Sequence, residues 1–433
     1  MAEQYLSIKK ATEREGSIVS VRGWIHRERG SKKLRFIVLR DVTGIIQCVI
    51  EKSIVGEDKF AAIEKLQVEA SVSVTGKIKK DERAPGGYEI SVTCFEIIGN
   101  SDTFPITKDQ SAEFLSDMRH LWIRSRRMQA ILKIRSTVFG AIHDYYRKLG
   151  FYEFQSPIFQ ATQCEGGSDL FEVKYFDRIT YLAQTWQLYA EAGIFSLEKI
   201  YCIAPSFRAE RSRTTRHLTE YWHAEMEAAW FSFEDMIDNG EGLIKHIVKA
   251  VLDNNSEELD LLERDTGKLT PTIEKPFVRM RYDDAINILN ERCDMKIKWG
   301  KDLRTIEEDK LTRLYDVPII VTHYPKSVKA FYMQEDSKNP DVVLGCDFLA
   351  PEGYGEIIGG SQREADNSSI IRRLKEQGED PKNYEYYLDT RRYGSVPHSG
   401  FGCGVERVIT WICGIDNIRD SIPFPRTMLR TRP

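Results

Sequence analysis

The sequence has no run of about 18 consecutive apolar residues, which excludes a membrane-spanning helix. Its first residues (Met1, Ala2, Glu3, Gln4) lack a basic stretch followed by an apolar one, so no secretory signal is read there and a cytoplasmic protein is expected. Cysteine is sparse, eight in 433 residues, and dispersed at Cys48, Cys94, Cys164, Cys202, Cys293, Cys346, Cys403 and Cys413. No two are close enough for a zinc knuckle or a redox pair, so reduced, mostly buried thiols are expected. The formal net charge is only −4, so composition supplies no general affinity for nucleic acid, and any such contact has to come from a local patch. Internal repeats and low-complexity tracts are missing as well. What remains is an ordinary globular composition in a chain too long for one core, which predicts two domains and an insertion.

The first hundred residues alternate as strands do: Ile18–Ile25, Phe36–Leu39, Gly44–Ile50, Val72–Gly76 and Tyr88–Val92, with a helical stretch (Glu57 to Leu66) between the third and fourth. Five strands with a helix in that place predict a small Greek-key barrel, the oligonucleotide-binding (OB) fold, over 1–104. The barrel carries a cluster of bases: Arg22, Arg27, Arg29, Lys32, Lys33, Arg35 and Arg40. Such a run usually marks a solvated face. Phe36 among the bases offers a stacking surface, and Gln47 can read a base edge by paired hydrogen bonds, so Arg27, Phe36 and Gln47 are the candidate RNA-contacting residues.

A segment with Pro105 and alternating charge reads as a linker over 105–130. A helix follows, with apolar residues at Met128, Ile131, Leu132, Val138, Phe139, Ile142 and Leu149 and with Gly150 as its left-handed cap. The remainder, 131–433, mixes strands and helices, and 253–330, which holds no chemical motif, is taken as an insertion.

Two stretches carry chemistry. In Ser206-Phe207-Arg208-Ala209-Glu210-Arg211-Ser212-Arg213-Thr214-Thr215-Arg216-His217, a strand with Arg and Glu two apart turns both side chains to one face, and a cationic turn follows. Several cations beside one carboxylate suit a polyphosphate attached to a base with an exocyclic amine, although any single pair here could be a surface salt bridge. In Gly400-Phe401-Gly402-Cys403-Gly404-Val405-Glu406-Arg407 a glycine-rich strand runs into an apolar helix. No βαβ unit surrounds it, so it is not a dinucleotide fingerprint. Its glycines would let a ligand lie against the backbone, with Arg407 projecting onto it.

These residues resemble a known family. Phe-Arg-x-Glu followed by Arg-His is similar to motif 2 of the class II aminoacyl-tRNA synthetases, and Gly-x-Gly-x-Gly-x-x-Arg is similar to motif 3. The long helix followed by Phe154-Gln155-Ser156-Pro157 is similar to motif 1, whose proline lies at the family's dimer interface. With the barrel, the resemblance covers nearly the whole chain and points to the aspartate/asparagine/lysine subgroup in its compact, archaeal-like form. It implies an α+β architecture: an N-terminal OB-fold barrel that binds the anticodon, then a catalytic domain built on an antiparallel sheet flanked by helices. It implies ATP as substrate, Mg²⁺, tRNA as partner and a homodimer. It also implies roles. Arg208 would hold the α-phosphate and the amino-acid carboxylate, and Glu210 would accept from the adenine amine. Arg216 and His217 would grip the outer phosphates, Tyr221 would stack on adenine, and Arg407 would cover its other face, near Gly402 and Gly404. Asp347 and Glu356 would stand near Mg²⁺, as hard oxygen ligands suit that ion. Related aspartyl enzymes often have a serine metal ligand where this chain has Gly359, which leaves the number and placement of ions open.

The same resemblance places Glu165 and Gln187 on the substrate ammonium group and Arg363 on its side-chain oxygen. Aspartyl enzymes carry a lysine where Ala190 stands, in Gln187-Leu188-Tyr189-Ala190-Glu191, and that cation pairs with the substrate carboxylate. Glu225 can accept from an amide nitrogen but repels a carboxylate in a dry pocket. The alternative for Glu225 is an ion pair with a neighbouring arginine. Together these features imply L-asparagine and tRNA(Asn). The readings set against this are an aspartate-activating enzyme with relaxed tRNA choice and an ammonia-dependent asparagine synthetase, which shares the catalytic fold but lacks the barrel.

Overall fold

In the computed structural model, which describes residues 5–162, 164, 170–212 and 214–433, the N-terminal alternation folds into β1 (Ile18–Gly30), β2 (Leu34–Arg40), β3 (Ile45–Glu51), β4 (Ser71–Lys80) and β5 (Tyr88–Gly99). They close a barrel in the order β1-β2-β3-β5-β4, with β3 and β5 parallel and the other pairs antiparallel. Alternate side chains (Val19, Val21, Ile37, Leu39, Ile46, Cys48, Val72, Val74, Ile90) fill the interior, and Phe60 and Ile63 of the helix Glu57–Ile63 join that core. The first strand is longer than its apolar run implied. A register shift between Ile25 and Arg27 lets it continue as an exposed arm to Gly30.

The chain divides into two units, Met1–Met118 and Arg119–Pro433. The strands of the second are β6 (Tyr152–Glu153), β7 (Phe159–Gln160), β8 (Glu172–Tyr175), β9 (Arg178–Leu182), β10 (Lys199–Phe207), β11 (Glu220–Ala229), β12 (Val278–Arg281), β13 (Ile319–Thr322), β14 (Glu335–Asp336), β15 (Asn339–Val343), β16 (Gly345–Ala350), β17 (Gly355–Gln362) and β18 (His398–Gly404). Eight of them form one sheet in the order β12-β13-β16-β17-β18-β11-β10-β6, antiparallel except for the parallel edge pairs β12/β13 and β10/β6. The segment 253–330, taken from sequence as an insertion, thus contributes β12 and β13 to the sheet itself. The apolar run Ile319–Thr322 reads as a strand from sequence, whereas Val278–Arg281 is too short and too mixed to show a period, and neither run says which sheet it joins.

One face of this sheet is covered by three helices. Arg126–Lys148 starts on a Ser125 cap and ends before Gly150 at φ 77°. Phe233–Asn254 starts on a Ser232/Asp235 capping box, and Val405–Cys413 follows β18 directly. Met128, Ile131, Ile134, Val138 and Ile142 pack with Leu243, Ile247 and Val251, with Ile409 and Ile412, and with Ala224, Met226, Phe348 and Cys403 of the strands. Each fully buried aliphatic contributes about 1.5–3 kcal/mol relative to exposure. A buried polar clamp joins the layers: Arg135 Nη1 donates to Glu406 Oε1 at 2.7 Å, and the Trp222 amide donates to Glu406 Oε2 at 2.8 Å. One glutamate therefore fastens the long helix, β11 and the end of β18 together, so the opposite face of the sheet is held at fixed register.

Candidate active site

That opposite face is set by alternation along β11. Trp222, Ala224, Met226 and Ala228 point into the helix-covered core, leaving Tyr221, His223, Glu225 and Glu227 on the other side. The neighbouring β18 pairs Gly404 with His223, Gly402 with Glu225 and Gly400 with Glu227. A Cβ at Gly400 would stand 2.0 Å from Glu227 Oε2, and one at Gly402 would stand 2.4 Å from His223 Nε2. The sequence reading had these glycines admitting a ligand to the backbone. At Gly400 and Gly402 the space is instead taken by side chains lying across from β11, although Gly402 and Gly404 also line a cavity.

Two cavities share Arg208, His223, Glu356 and Gly402. The larger, about 390 Å³, includes Thr185, Gln187, Glu225, Glu227, Lys329, Asp347 and Arg363 in its wall. The smaller, about 70 Å³, includes Arg216, His217, Tyr221, Gly404 and Arg407. Arg208 therefore sits where the two spaces meet, its guanidinium 5.7 Å from the Tyr221 ring centre. Glu210 is half-buried, with Oε2 3.6 Å from His217 Nε2. His217 Nδ1 lies 3.1 Å from Ser212 Oγ. Burial first, and then Arg407, holds the His217 imidazole below its usual pKa. Arg216 donates to the Gly353 carbonyl and has Nη1 3.5 Å from Glu308 Oε2. Arg407 Nη1 donates to both the Glu356 carbonyl (2.9 Å) and Glu356 Oε2 (3.0 Å).

Asp347 and Glu356 come from the adjacent strands β16 and β17, brought to one side by the register shift between Phe348 and Leu349. Gly359 lies between them: a Cβ there would be 3.1 Å from Glu356 Oε1 and 3.7 Å from Asp347 Oδ1. Burial, reinforced by Glu356, pushes the Asp347 carboxyl up to about 6 even though Lys329 Nζ is 2.8 Å away. Burial and Glu356 likewise push Glu308 up to about 7. Burial also opposes ionisation of Glu356, but Arg407, Lys329 and Arg208 together outweigh it and hold that carboxyl below its usual value. Crowded carboxylate oxygens of this kind attract a hard cation.

At the far end of the larger cavity the pairing differs from expectation. Arg363 donates through Nε (3.0 Å) and Nη2 (2.9 Å) to the two oxygens of Glu227, and through Nη1 (2.8 Å) to Ser361 Oγ. Three of its five N–H groups are thus engaged within the protein. The arginine partner foreseen as the alternative for Glu225 belongs to Glu227 instead. Glu225 accepts from Thr185 Oγ1 and from the Trp186 amide at 2.9 Å, with His223 Nδ1 3.5 Å away. Burial pushes its carboxyl up to about 7, against the lowering effect of those two hydrogen bonds. Gln187 lines the cavity and donates from Nε2 to Glu191 at 2.9 Å. Ala190, which the family resemblance sets where aspartyl enzymes carry a lysine, does not line the cavity. It is wholly buried with Trp186, Ile194, Ile200 and Cys202 behind the cavity wall, because its helix turns that position toward β10. Glu165 lies outside the described residues.

On the barrel, register puts Arg27, Arg29, Phe36, Val38 and Gln47 on one outward face. The Arg29 guanidinium is 5.2 Å from the Phe36 ring centre and donates to Gln47 Oε1 at 3.4 Å, while Gln47 donates to Glu89 at 3.4 Å. Arg27 is exposed and Phe36 half-buried. Two of the clustered bases are engaged elsewhere, Arg40 with Glu69 and Arg35 with Glu28 and Glu64.

The model of the tRNA synthetases class II (D, K and N) matches residues 111–428, and that of the OB-fold nucleic acid binding domain matches residues 19–98. The chain belongs to the class II D, K and N tRNA synthetases. An asparagine--tRNA ligase of Thermoplasma acidophilum is 50% identical over 418 residues, 96% of this chain and 97% of the relative. The crystal structure of asparaginyl-tRNA synthetase from Pyrococcus horikoshii complexed with asparaginyl-adenylate is 46% identical and superposes with a TM-score of 0.96 over 100% of both chains. An aspartyl-tRNA synthetase from Entamoeba histolytica keeps the fold, with a TM-score of 0.85 over 99% of this chain and 93% of that one, at 25% identity.

In this class II synthetase the residues that sequence reasoning missed are those that pair over long separations. Glu227 neutralises Arg363. Glu191, Arg391 and His398 form a wholly buried group behind Gln187. Lys329, Asp302 and Glu308 enter from the segment thought to hold no chemistry. Among the described residues, the group with three clustered potential metal-ligand side chains is Glu191, Glu227 and His398. In this synthetase Arg363 and Arg391 already occupy their carboxylates, so the trio is an ion network rather than a metal centre. The eight thiols are free, with Cys94 exposed, Cys293 partly buried and the rest buried.

Proposed function

We propose that the chain activates L-asparagine with ATP to asparaginyl-adenylate and transfers the asparaginyl group to tRNA(Asn). The observation that carries the choice of amino acid is the Glu227–Arg363 pair beside Glu225. A substrate carboxylate would meet an arginine whose charge is already balanced and, next to it, an acceptor it repels, whereas an amide offers a donor to Glu225 and an oxygen to the remaining N–H groups of Arg363. An aspartate-activating enzyme would need a second free cation there. The archaeal relative captured with asparaginyl-adenylate supports the same reading, and the barrel argues against an ammonia-dependent amide ligase.

The reaction needs alignment rather than a base. A carboxylate oxygen of asparagine attacks the α-phosphorus of ATP, and pyrophosphate leaves. Arg208, at the junction of the two cavities, is placed to hold both reactants and to balance the charge on the pentavalent transition state. Tyr221 and Arg407 flank the smaller cavity as a slot for adenine, with Arg216 and His217 in its wall and Glu210 beside His217. Asp347 and Glu356 are the residues that would hold Mg²⁺, whose charge neutralises the leaving phosphates when bound. Pyrophosphate exchange into ATP with asparagine, aspartate and lysine compared is the test. Exchange with aspartate equal to that with asparagine would overturn the amino-acid assignment and leave the family standing.

The outward barrel face reads the anticodon, with Phe36 stacking and Gln47 and Arg27 contacting base edge and backbone. Stacking of one base contributes about 1–3 kcal/mol, so Phe36→Ala should weaken tRNA charging by that amount while pyrophosphate exchange is unchanged. Pro157 precedes exposed Ile158 and Phe159, and Phe159 meets exposed Tyr175, which meets Phe176, an apolar surface suited to a two-fold homodimer. Sedimentation of an active monomer at micromolar concentration would exclude it. No helix among the described residues is long and apolar enough to cross a membrane, and we place the enzyme in the cytoplasm.

A further inference from the structure

Behind the wall of the larger cavity lies a second charged layer that the activation reaction does not use directly. Glu191, on the helix Gln187–Leu197, is wholly buried. Its Oε1 accepts from Gln187 Nε2 at 2.9 Å and lies 3.9 Å from Arg363 Nε. Its Oε2 accepts from Arg391 Nη2 and from the Tyr387 hydroxyl at 2.8 Å, and is 3.0 Å from His398 Nε2. The Arg391 side chain is 0% exposed. Its other hydrogen bonds go to the Glu364 carbonyl at 3.0 Å, Thr390 Oγ1 at 2.7 Å and the Tyr387 hydroxyl at 2.9 Å, and its Nη2 lies 3.3 Å from His398 Nε2. The layer therefore holds two arginines, Arg363 and Arg391, against two glutamates, Glu227 and Glu191, paired most closely as Arg363–Glu227 and Arg391–Glu191, with His398 also against Glu191 and Arg363 3.9 Å from it.

We propose that Glu191 is a specificity-positioning residue. By neutralising Arg391 and anchoring Gln187, it denies the amino-acid pocket the net positive charge that would draw in a substrate side-chain carboxylate. The inference rests on the asparagine reading above and deepens it. The physical reason is that a charge in a dry interior is screened weakly and acts over several ångströms. Within this layer, removing the Glu191 charge leaves Arg363 and Arg391 opposed by Glu227 alone, with Glu225 unchanged on the cavity side, and a substrate carboxylate becomes the counter-ion the layer lacks. Glu191 acts through Gln187, Arg391 and the field it sets, since it does not itself line the cavity.

Glu191→Gln keeps the volume and an acceptor for Gln187 while deleting the charge. In full-length enzyme checked for folding by circular dichroism, the ratio of kcat/KM for asparagine to that for aspartate should fall by about tenfold or more. The change should appear as a lower KM for aspartate, with the asparagine KM raised only a few-fold. The double variant Glu191→Gln/Arg391→Gln restores neutrality and should restore most of the ratio, which a merely structural role would not do. Equal loss with both amino acids, or a ratio that stays put, overturns the proposal. If Glu191→Gln does not fold, Arg391→Gln alone decides: it leaves Glu191 in excess and should raise the inhibition constant of aspartate against asparagine activation, and an unchanged constant overturns the idea. Wild-type enzyme that prefers aspartate would refute the asparagine reading itself, whereas the change in ratio on removing Glu191 is judged separately.

Discussion

The two ends of the active-site space are built on different principles. Around the smaller cavity, Arg208, Arg216, His217 and Tyr221 come from one contiguous stretch, and His217 is only partly buried, in a loose pair at 3.6 Å with the adjoining, partly buried Glu210. At the far end of the larger cavity, Glu227 and Arg363 are buried and bound bidentately at 2.9 and 3.0 Å, across a separation of 136 residues. A site for a polyphosphate keeps its cations near water, and Arg208, Arg216 and Arg407 are all partly exposed even though Arg216 and Arg407 already face a carboxylate. A site that must tell an amide from a carboxylate has to settle its own charges first, because the discrimination comes from what is left unbalanced when the wrong side chain enters.

Removing a partner from each end sharpens that comparison. Glu227→Gln leaves Arg363 charged and buried without its partner, which should destabilise the fold by about 3–5 kcal/mol. Glu210→Gln, at the half-exposed end, should cost less than about 1 kcal/mol. Paired thermal melts check both, and equal shifts would break the distinction. Next in size, Arg208→Ala should leave the fold intact but cost about 3 kcal/mol or more of transition-state stabilisation, read as loss of pyrophosphate exchange with every amino acid. Near-normal exchange would mean that the junction of the two cavities is not where the reaction occurs.

Ala190→Lys is a smaller and more equivocal change than the family comparison suggests. The position is packed against Trp186, Ile194 and Cys202, so a lysine there overfills an apolar cluster before it reaches any carboxylate. A loss of about 1–3 kcal/mol in stability is expected, measured by denaturant unfolding. A variant as stable as wild type would show that the cluster has room.

The smallest expected effect is a pH dependence. The Glu225 carboxyl is raised to about 7, above its unfolded value of about 4.3. Between those values the folded chain holds a proton that the unfolded chain has lost, so this residue's contribution to stability declines as pH rises through that window. The ionised form is the one that accepts from an amide and repels a carboxylate. Preference for asparagine over aspartate should therefore narrow as pH falls through 7, by at most about tenfold per unit, in KM measured from about pH 6 to 8. A preference that does not vary with pH would remove Glu225 from the discrimination.

How much of this was legible depended on distance along the chain. The barrel strands were read from alternation, and the nucleotide-side residues stand within a stretch short enough for a motif to hold them. Glu227 was visible in His223-Ala224-Glu225-Met226-Glu227 but went unassigned, since alternation puts both glutamates on one face and only the position of Arg363 says which one it pairs with. The strand β13 shows as an apolar run, Ile319–Thr322, but nothing local ties it to the sheet, and β12, Lys329 and Glu308 were missed because each element is too short to show a period; all four end up at the sheet or beside Asp347 and Glu356.

By itself, then, the sequence determined the elements and the chemistry that local spacing can encode: a five-stranded barrel, a capped helix ending at Gly150, the Arg208–His217 stretch, and a glycine-rich strand running into Arg407. Tertiary structure decided the charge balance. Glu191 meets Arg391 across 200 residues, Glu406 meets Arg135 across 271, and whether a buried carboxylate faces an arginine or a substrate is settled by which strand lies next to which. Long-range ion pairs leave no periodic trace in a sequence, because the energy of a buried charge depends on what surrounds it in space rather than on its neighbours in the chain.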